Sequence, residues 1–212
     1  MNHSRGTAEL EPVANAGAPV AVRPRRGRLT GTPALVLLSS LIVSLLSASS
    51  APTPLYDVYQ QEWGFSSITT TIVFGVYALA VLASLLTLGR LSDYVGRRPV
   101  LLAALAVQVA SLTVVATADG VGALLLARVI QGLGTGAALG AIGAGLLDID
   151  RERGTLANAL TPGIGSGAGA LLSALLVRYL PAPTHLVYLV LIAVIAAQAA
   201  GVALLRETVA TR

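Results

Sequence analysis

Gly89-Arg90-Leu91-Ser92-Asp93-Tyr94-Val95-Gly96-Arg97-Arg98-Pro99 separates two runs, 63–89 and 99–118, in which no residue carries a formal charge. Each run can cross roughly 30 Å of hydrocarbon as an α-helix rising about 1.5 Å per residue. The stretch between them therefore has to reverse the chain at a membrane face. Gly89 lets the end of the preceding helix approach a neighbour closely. Gly96 supplies the positive φ of a tight turn, and Pro99 suits a first helical turn, where its missing N–H is not needed. Arg97 and Arg98 hold the loop in the cytoplasm. Asp93 is the odd residue, an acid among arginines, placed to pair with Arg90 or Arg97 or to sit at the positive N-terminus of another helix. Composition alone also allows an ordinary positively charged turn.

Outward from this hairpin, further uncharged runs lie at 29–56, 154–177 and 179–205, and another at 120–147 is interrupted only by Arg128. Six transmembrane helices are expected, near 33–54, 66–89, 99–118, 121–147, 155–178 and 185–205, giving an all-α membrane protein. Composition agrees: 11% of the 212 residues are charged, 55% are hydrophobic and mean hydropathy is +0.78. A soluble domain carries charge on roughly 25% of its residues, and a disordered chain is richer still in charge. With no cysteine, a disulfide scaffold, a thiolate metal site and a cysteine nucleophile are all excluded. No cofactor, metal site or nucleic-acid partner is expected; the partner is the lipid bilayer.

Every basic residue other than histidine is arginine, and the arginines give the orientation. Arg23, Arg25, Arg26 and Arg28 precede the first span. Arg90, Arg97 and Arg98 fall between the second and third, Arg151 and Arg153 between the fourth and fifth, and Arg206 and Arg212 after the sixth. All lie on one side, with Arg178 on the other, so both termini are expected in the cytoplasm of a cell whose inner or plasma membrane holds the chain. Tyr56, Tyr59, Trp63, Phe65 and Tyr188 are then expected as an aromatic belt at the outer interface. Residues 1–28, without periodicity, read as a disordered cytoplasmic tail. A cleaved signal peptide with Arg25-Arg26 is the alternative, but cleavage would leave five spans and spoil the arginine asymmetry.

The pattern Gly-x-Leu-x-Asp-x-x-Gly-Arg-Arg, carried by Gly89, Leu91, Asp93, Gly96, Arg97 and Arg98, resembles the signature of the major facilitator superfamily in its loop between helices two and three. The resemblance implies a cytoplasmic latch in which Asp93, Arg97 and Arg98, with Arg90 beside them, contact helix ends in both halves of a transporter. Gly89 takes the close-packing role.

Arg128 lies inside the fourth span, where an arginine costs roughly 2.5 kcal/mol or more. It either snorkels to the outer interface or faces the bundle interior with acceptors around it. Leu124-x-x-x-Arg128-x-x-Gln131-Gly132-x-Gly134 looks like the second signature of the same superfamily, which implies a cavity-lining, coupling role for Arg128 with Gln131. Thr135 and Gly136 stand where alanines are usual. Gly132, Gly136 and Gly140 recur every fourth residue on one face, a helix-packing stripe. A dinucleotide fingerprint at Gly132-x-Gly134-x-x-Ala137 is rejected, because it starts in mid-span and follows no strand.

The fifth span carries Pro162, Gly163, Gly165, Gly167 and Gly169 and is read as bendable and closely packed. Its spacing does not match the glycine signature of drug/proton antiporters. Gly-x-Ser-Gly of an intramembrane serine protease is absent, so no enzyme is expected. Ser40, Ser44 and Ser47 form one stripe on the first span, for helix packing or as a cavity wall. No Asp or Glu falls within the six spans; a proton-binding carboxylate is either absent from the chain or is Asp57, at the outer rim.

The likeness covers about residues 30–207 and matches the N-terminal six helices of a twelve-helix transporter whose two halves enclose the substrate. Residues 208–212 then read as the start of the central cytoplasmic loop. The resemblance implies a secondary active transporter of a small organic solute, proton-linked, with efflux as one direction. It would need a second six-helix half: a missing C-terminal half, a second chain or a second copy of itself. The competing class is a non-transporting membrane fragment or an assembly or regulatory partner of a transporter.

Overall fold

The computed structural model describes residues 29–179 and 183–205. The expected tail at 1–28, Arg206, Arg212 and the loop start at 208–212 lie outside them. The elements run α1 (Thr32–Ser50), a 3-10 turn (Thr53–Leu55), α2 (Tyr56–Trp63), α3 (Ser67–Leu88), α4 (Leu91–Val95), α5 (Arg97–Ala116), α6 (Val121–Ile149), α7 (Arg151–Tyr179) and α8 (Pro183–Ala203). Six segments are long and apolar enough to cross a membrane, with Thr32–Trp63 counted as one. The protein is an all-α, multi-pass membrane protein, and no strand occurs among the described residues beyond an isolated bridge.

The first span is not one helix to residue 54. α1 stops at Ser50, and the chain turns through Pro52 and Pro54 before α2 begins. The cause is covalent. Proline has no N–H to give to the carbonyl four residues back, and its ring crowds that carbonyl. Pro52 therefore leaves the Ala48 carbonyl without its helical donor.

α6 is central, packed on α3, α5, α7 and α1, while α8 lies against α5 and α1. Two small-residue seams bring backbones together. On α6, a Cβ built at Gly132 would lie 2.6 Å from the Ala80 Cβ, and one at Gly136 would lie 2.6 Å from the Val81 carbonyl oxygen. At Gly140 it would come within 3.2 Å of the Gly89 Cα. On α7, Gly165 and Gly169 sit against the α1 backbone at Val43 and Ser47. Gly163 and Gly167, expected as packing glycines, have no neighbour within 4 Å of a built Cβ. Two residues turn a helix by about 200°, so these two glycines lie opposite the seam. Pro162 stays within a continuous α7.

The serine stripe of α1 serves packing. Ser47 Oγ donates to the Gly165 carbonyl at 2.8 Å, and the Ser40 hydroxyl accepts from Gln198 Nε2 at 3.1 Å. Ser50, one turn further, donates to the Ser166 carbonyl at 2.8 Å. At one end of the bundle the Leu29 N–H donates to the Leu204 carbonyl at 3.2 Å. Leu29, Leu205, Arg97 and Asp148 line one cavity there, so the two ends of the described bundle share a side.

Candidate functional site

The break in the first span builds a polar centre inside the bundle. Gln131 Nε2 donates to the Ala48 carbonyl at 3.1 Å, replacing the N–H that Pro52 lacks. Arg128, one turn earlier on α6, is fully buried. Its Nη1 donates to the Ser49 carbonyl at 3.0 Å and to Gln131 Oε1 at 2.7 Å. Its Nη2 and Nε donate to the Tyr56 hydroxyl at 2.7 and 3.2 Å. The guanidinium thus meets the carbonyl end of α1, where the helix dipole is negative, and the first residue of α2. The rings of Tyr77, Phe74 and Tyr56 surround it, with centroids 5.3, 5.7 and 5.9 Å from Cζ. Such faces favour a desolvated cation.

Arg128 therefore does not snorkel. All its described acceptors are neutral, and Asp57 is exposed, its carboxylate making no hydrogen bond or ion pair among the described residues. Tyr56, Tyr59 and Tyr188 are not an interfacial belt either: they are 3%, 3% and 0% exposed. The Tyr59 and Tyr188 hydroxyls lie 3.1 Å apart, and Tyr59 stacks on Trp63 with centroids 4.5 Å apart. Buried tyrosine hydroxyls need partners, and these find each other. Tyr56 is the residue that sequence reading missed. Its aromatic neighbours near a span end signal an interface just as readily.

At the opposite end of the bundle, Gly96 has φ 105° and stands between α4 and α5, capping both. Arg97 Nη2 lies 2.8 Å from Asp148 Oδ2 at the end of α6. Arg97 thus pairs with Asp148 rather than Asp93, whose side chain is exposed and makes no ion pair among the described residues. Arg90 is exposed and Arg98 half-buried, both on the same loop. The only other described ion pair joins Arg153 and Asp150 at 3.6 Å. No group of three or more His, Cys, Asp or Glu side chains suited to a metal occurs among the described residues.

Six helices long and apolar enough to cross a membrane, with Arg128 buried among α1, α2, α3 and α6, define an integral, multi-pass membrane protein whose interior holds a charge that lipid would not tolerate. The sequence model of the Major Facilitator Superfamily matches residues 36–212, and the chain belongs to that family. It is 34% identical over 90 residues to the inner membrane transport protein YajR of Escherichia coli (strain K12), a match covering 42% of this chain and 19% of that protein. It is 33% and 35% identical to uncharacterized transporters of Rickettsia bellii (102 residues) and Rickettsia felis (106 residues), each match covering 48% of this chain and 25% of the relative. The matched stretch thus spans a quarter or less of these relatives.

Proposed function

We propose that this chain acts as one six-helix half of a secondary active transporter that moves a small organic solute by alternating access, linked to protons and running as efflux. The second half is either a further six helices or a second copy of the chain. Both termini lie in the cytoplasm, and the membrane is the inner or plasma membrane. The chain carries no enzyme activity in this reading. Family membership supports transport in general. The observation that supports a working interior is Arg128, a buried cation whose hydrogen-bond acceptors among the described residues are all neutral hydroxyl, amide and carbonyl oxygens. A charge kept in a membrane interior is costly, and intramembrane ionisable groups mark solute or ion pathways. In this reading Arg128 and Gln131 line the coupling path. Asp93, Arg97 and Arg98, with Arg90 and the turns at Gly89 and Gly96, form a cytoplasmic latch that exchanges partners as the halves rock. The Arg97–Asp148 pair is one of its contacts.

The test is solute flux in proteoliposomes with an imposed pH gradient, with the chain alone and with a co-expressed second half. Flux is expected only in the assembled form. Arg128→Ala is expected to abolish it, and Asp93→Asn to impair it, with insertion intact. Saturable flux by a strict monomer, or full flux in both variants, would overturn the proposal.

A further inference from the structure

Nε and Nη2 of a guanidinium form an edge that can grip both oxygens of a carboxylate at once. On Arg128 that edge is occupied by a single neutral atom, the Tyr56 hydroxyl oxygen, 3.2 Å from Nε and 2.7 Å from Nη2. The match is incomplete on both sides. The second N–H of Nη2 has no acceptor among the described residues. The hydroxyl accepts from both nitrogens, and its own proton has no acceptor there either. No carboxylate balances the charge: Asp57 and Glu62 of α2 are exposed, and neither pairs with Arg128. The rings of Phe74 and Tyr77 flank the guanidinium, and Tyr56 meets Phe74 edge-on with centroids 5.1 Å apart. Phe74 is 37% exposed, so one ring separates the buried fork from the outer face of α3. Tyr56 itself opens α2, directly after the proline turn.

We propose, resting on the reading of Arg128 as part of the solute path, that the solute is a small monocarboxylate with an apolar body. Its carboxylate takes the place of the Tyr56 hydroxyl in the Nε–Nη2 fork. Two oxygens without hydrogens replace one oxygen that carries a surplus proton, and the hydrogen bonds become charge-assisted on both sides. One buried cation selects one negative charge. The faces of Phe74 and Tyr77 meet the apolar body. Tyr56 is the resident that the solute displaces, so its hydroxyl lowers the affinity while keeping the empty fork satisfied.

Equilibrium dialysis of the full chain in detergent against radiolabelled benzoate and phenylacetate, beside the neutral benzamide and phenylacetamide, tests this without requiring transport. The parent is expected to bind each carboxylate saturably and its amide about tenfold more weakly, the difference between charged and neutral hydrogen bonds. Tyr56→Phe, which empties the fork, should bind the carboxylates about two- to tenfold more tightly, the net worth of one hydrogen bond. Its thermal midpoint should also rise more with benzoate than the parent's does. Arg128→Met should lose carboxylate binding, and Arg128→Lys, which keeps the charge without the fork, should fall between. Amides bound as well as carboxylates, no gain in Tyr56→Phe, or undiminished binding in Arg128→Met would each overturn the assignment. Carboxylate binding with this pattern but no flux in any assembly would support the site and overturn transport. Flux of a neutral or cationic solute by a chain that binds no carboxylate would overturn the site and leave transport standing.

Discussion

Tyr56 and Arg128 share two hydrogen bonds, at 2.7 and 3.2 Å, across the proline break of the first membrane span. Arg128 also bonds the Ser49 carbonyl on the other side of that break. One side chain of α6 therefore holds α1 and α2 in a fixed relation. Removing either partner has unequal consequences. Tyr56→Phe leaves two guanidinium donors buried without acceptors, a loss of about 1–3 kcal/mol. Arg128→Met removes the buried charge itself and is expected to destabilise less than Tyr56→Phe. Thermal unfolding of both variants in one detergent checks the order, and a larger loss in Arg128→Met would refute it.

The α3–α6 seam gives a second contrast. A methyl group at Gly136 would fall 2.6 Å from the Val81 carbonyl oxygen and 2.7 Å from the Ser84 Cβ. Gly136→Ala is expected to cost about 1–3 kcal/mol by overpacking. Gly167→Ala, which meets nothing within 4 Å, is expected to be neutral or to stabilise α7 by up to about 1 kcal/mol. Midpoints of thermal aggregation compare the two, and equal losses would contradict the seam.

The Arg97–Asp148 pair is partly open to solvent, with side-chain exposures of 12% and 42%. Screening keeps its contribution below about 1 kcal/mol. A double-mutant cycle of Arg97→Gln with Asp148→Asn is expected to show coupling that fades in high salt. The same cycle with Asp93→Asn should show none. Coupling to Asp93 alone would place the ion pair wrongly.

The absence of native cysteine makes topology directly readable. Glu62→Cys and Asp119→Cys, both at exposed positions, should react with an impermeant maleimide added to intact cells. Arg151→Cys should react only after permeabilisation. Labelling in the reverse sense would invert the orientation argued from the arginines.

The spans were legible because lipid demands uninterrupted apolar length, which composition displays directly. Gly96 could be read because its φ of 105° suits glycine and few other residues. The interior was less legible for the same reason the spans were easy. Lipid tails are as apolar as a leucine core, so a membrane helix does not reveal its inward face through hydropathy. Hence Gly163 and Gly165 look alike in sequence and lie on opposite faces in the bundle. Tyr56 read as interfacial because its partner, Arg128, is 72 residues away. Pro52 carried an earlier signal: a proline near a span end frees a carbonyl that some donor must meet, and Gln131 is that donor.

The turn at Ala51–Leu55 has a mechanical consequence. α2 is an eight-residue rod, about 12 Å long by helical rise, standing on a pivot whose two sides are riveted by one guanidinium. A tilt of about 10° at the pivot would carry the Trp63 tip through about 2 Å, from the same helix length. Trp63 stacks on Tyr59, which in turn meets Tyr188 on α8. The bonds around Arg128 therefore set the angle at which α2 and its Tyr59–Trp63 stack stand against α8.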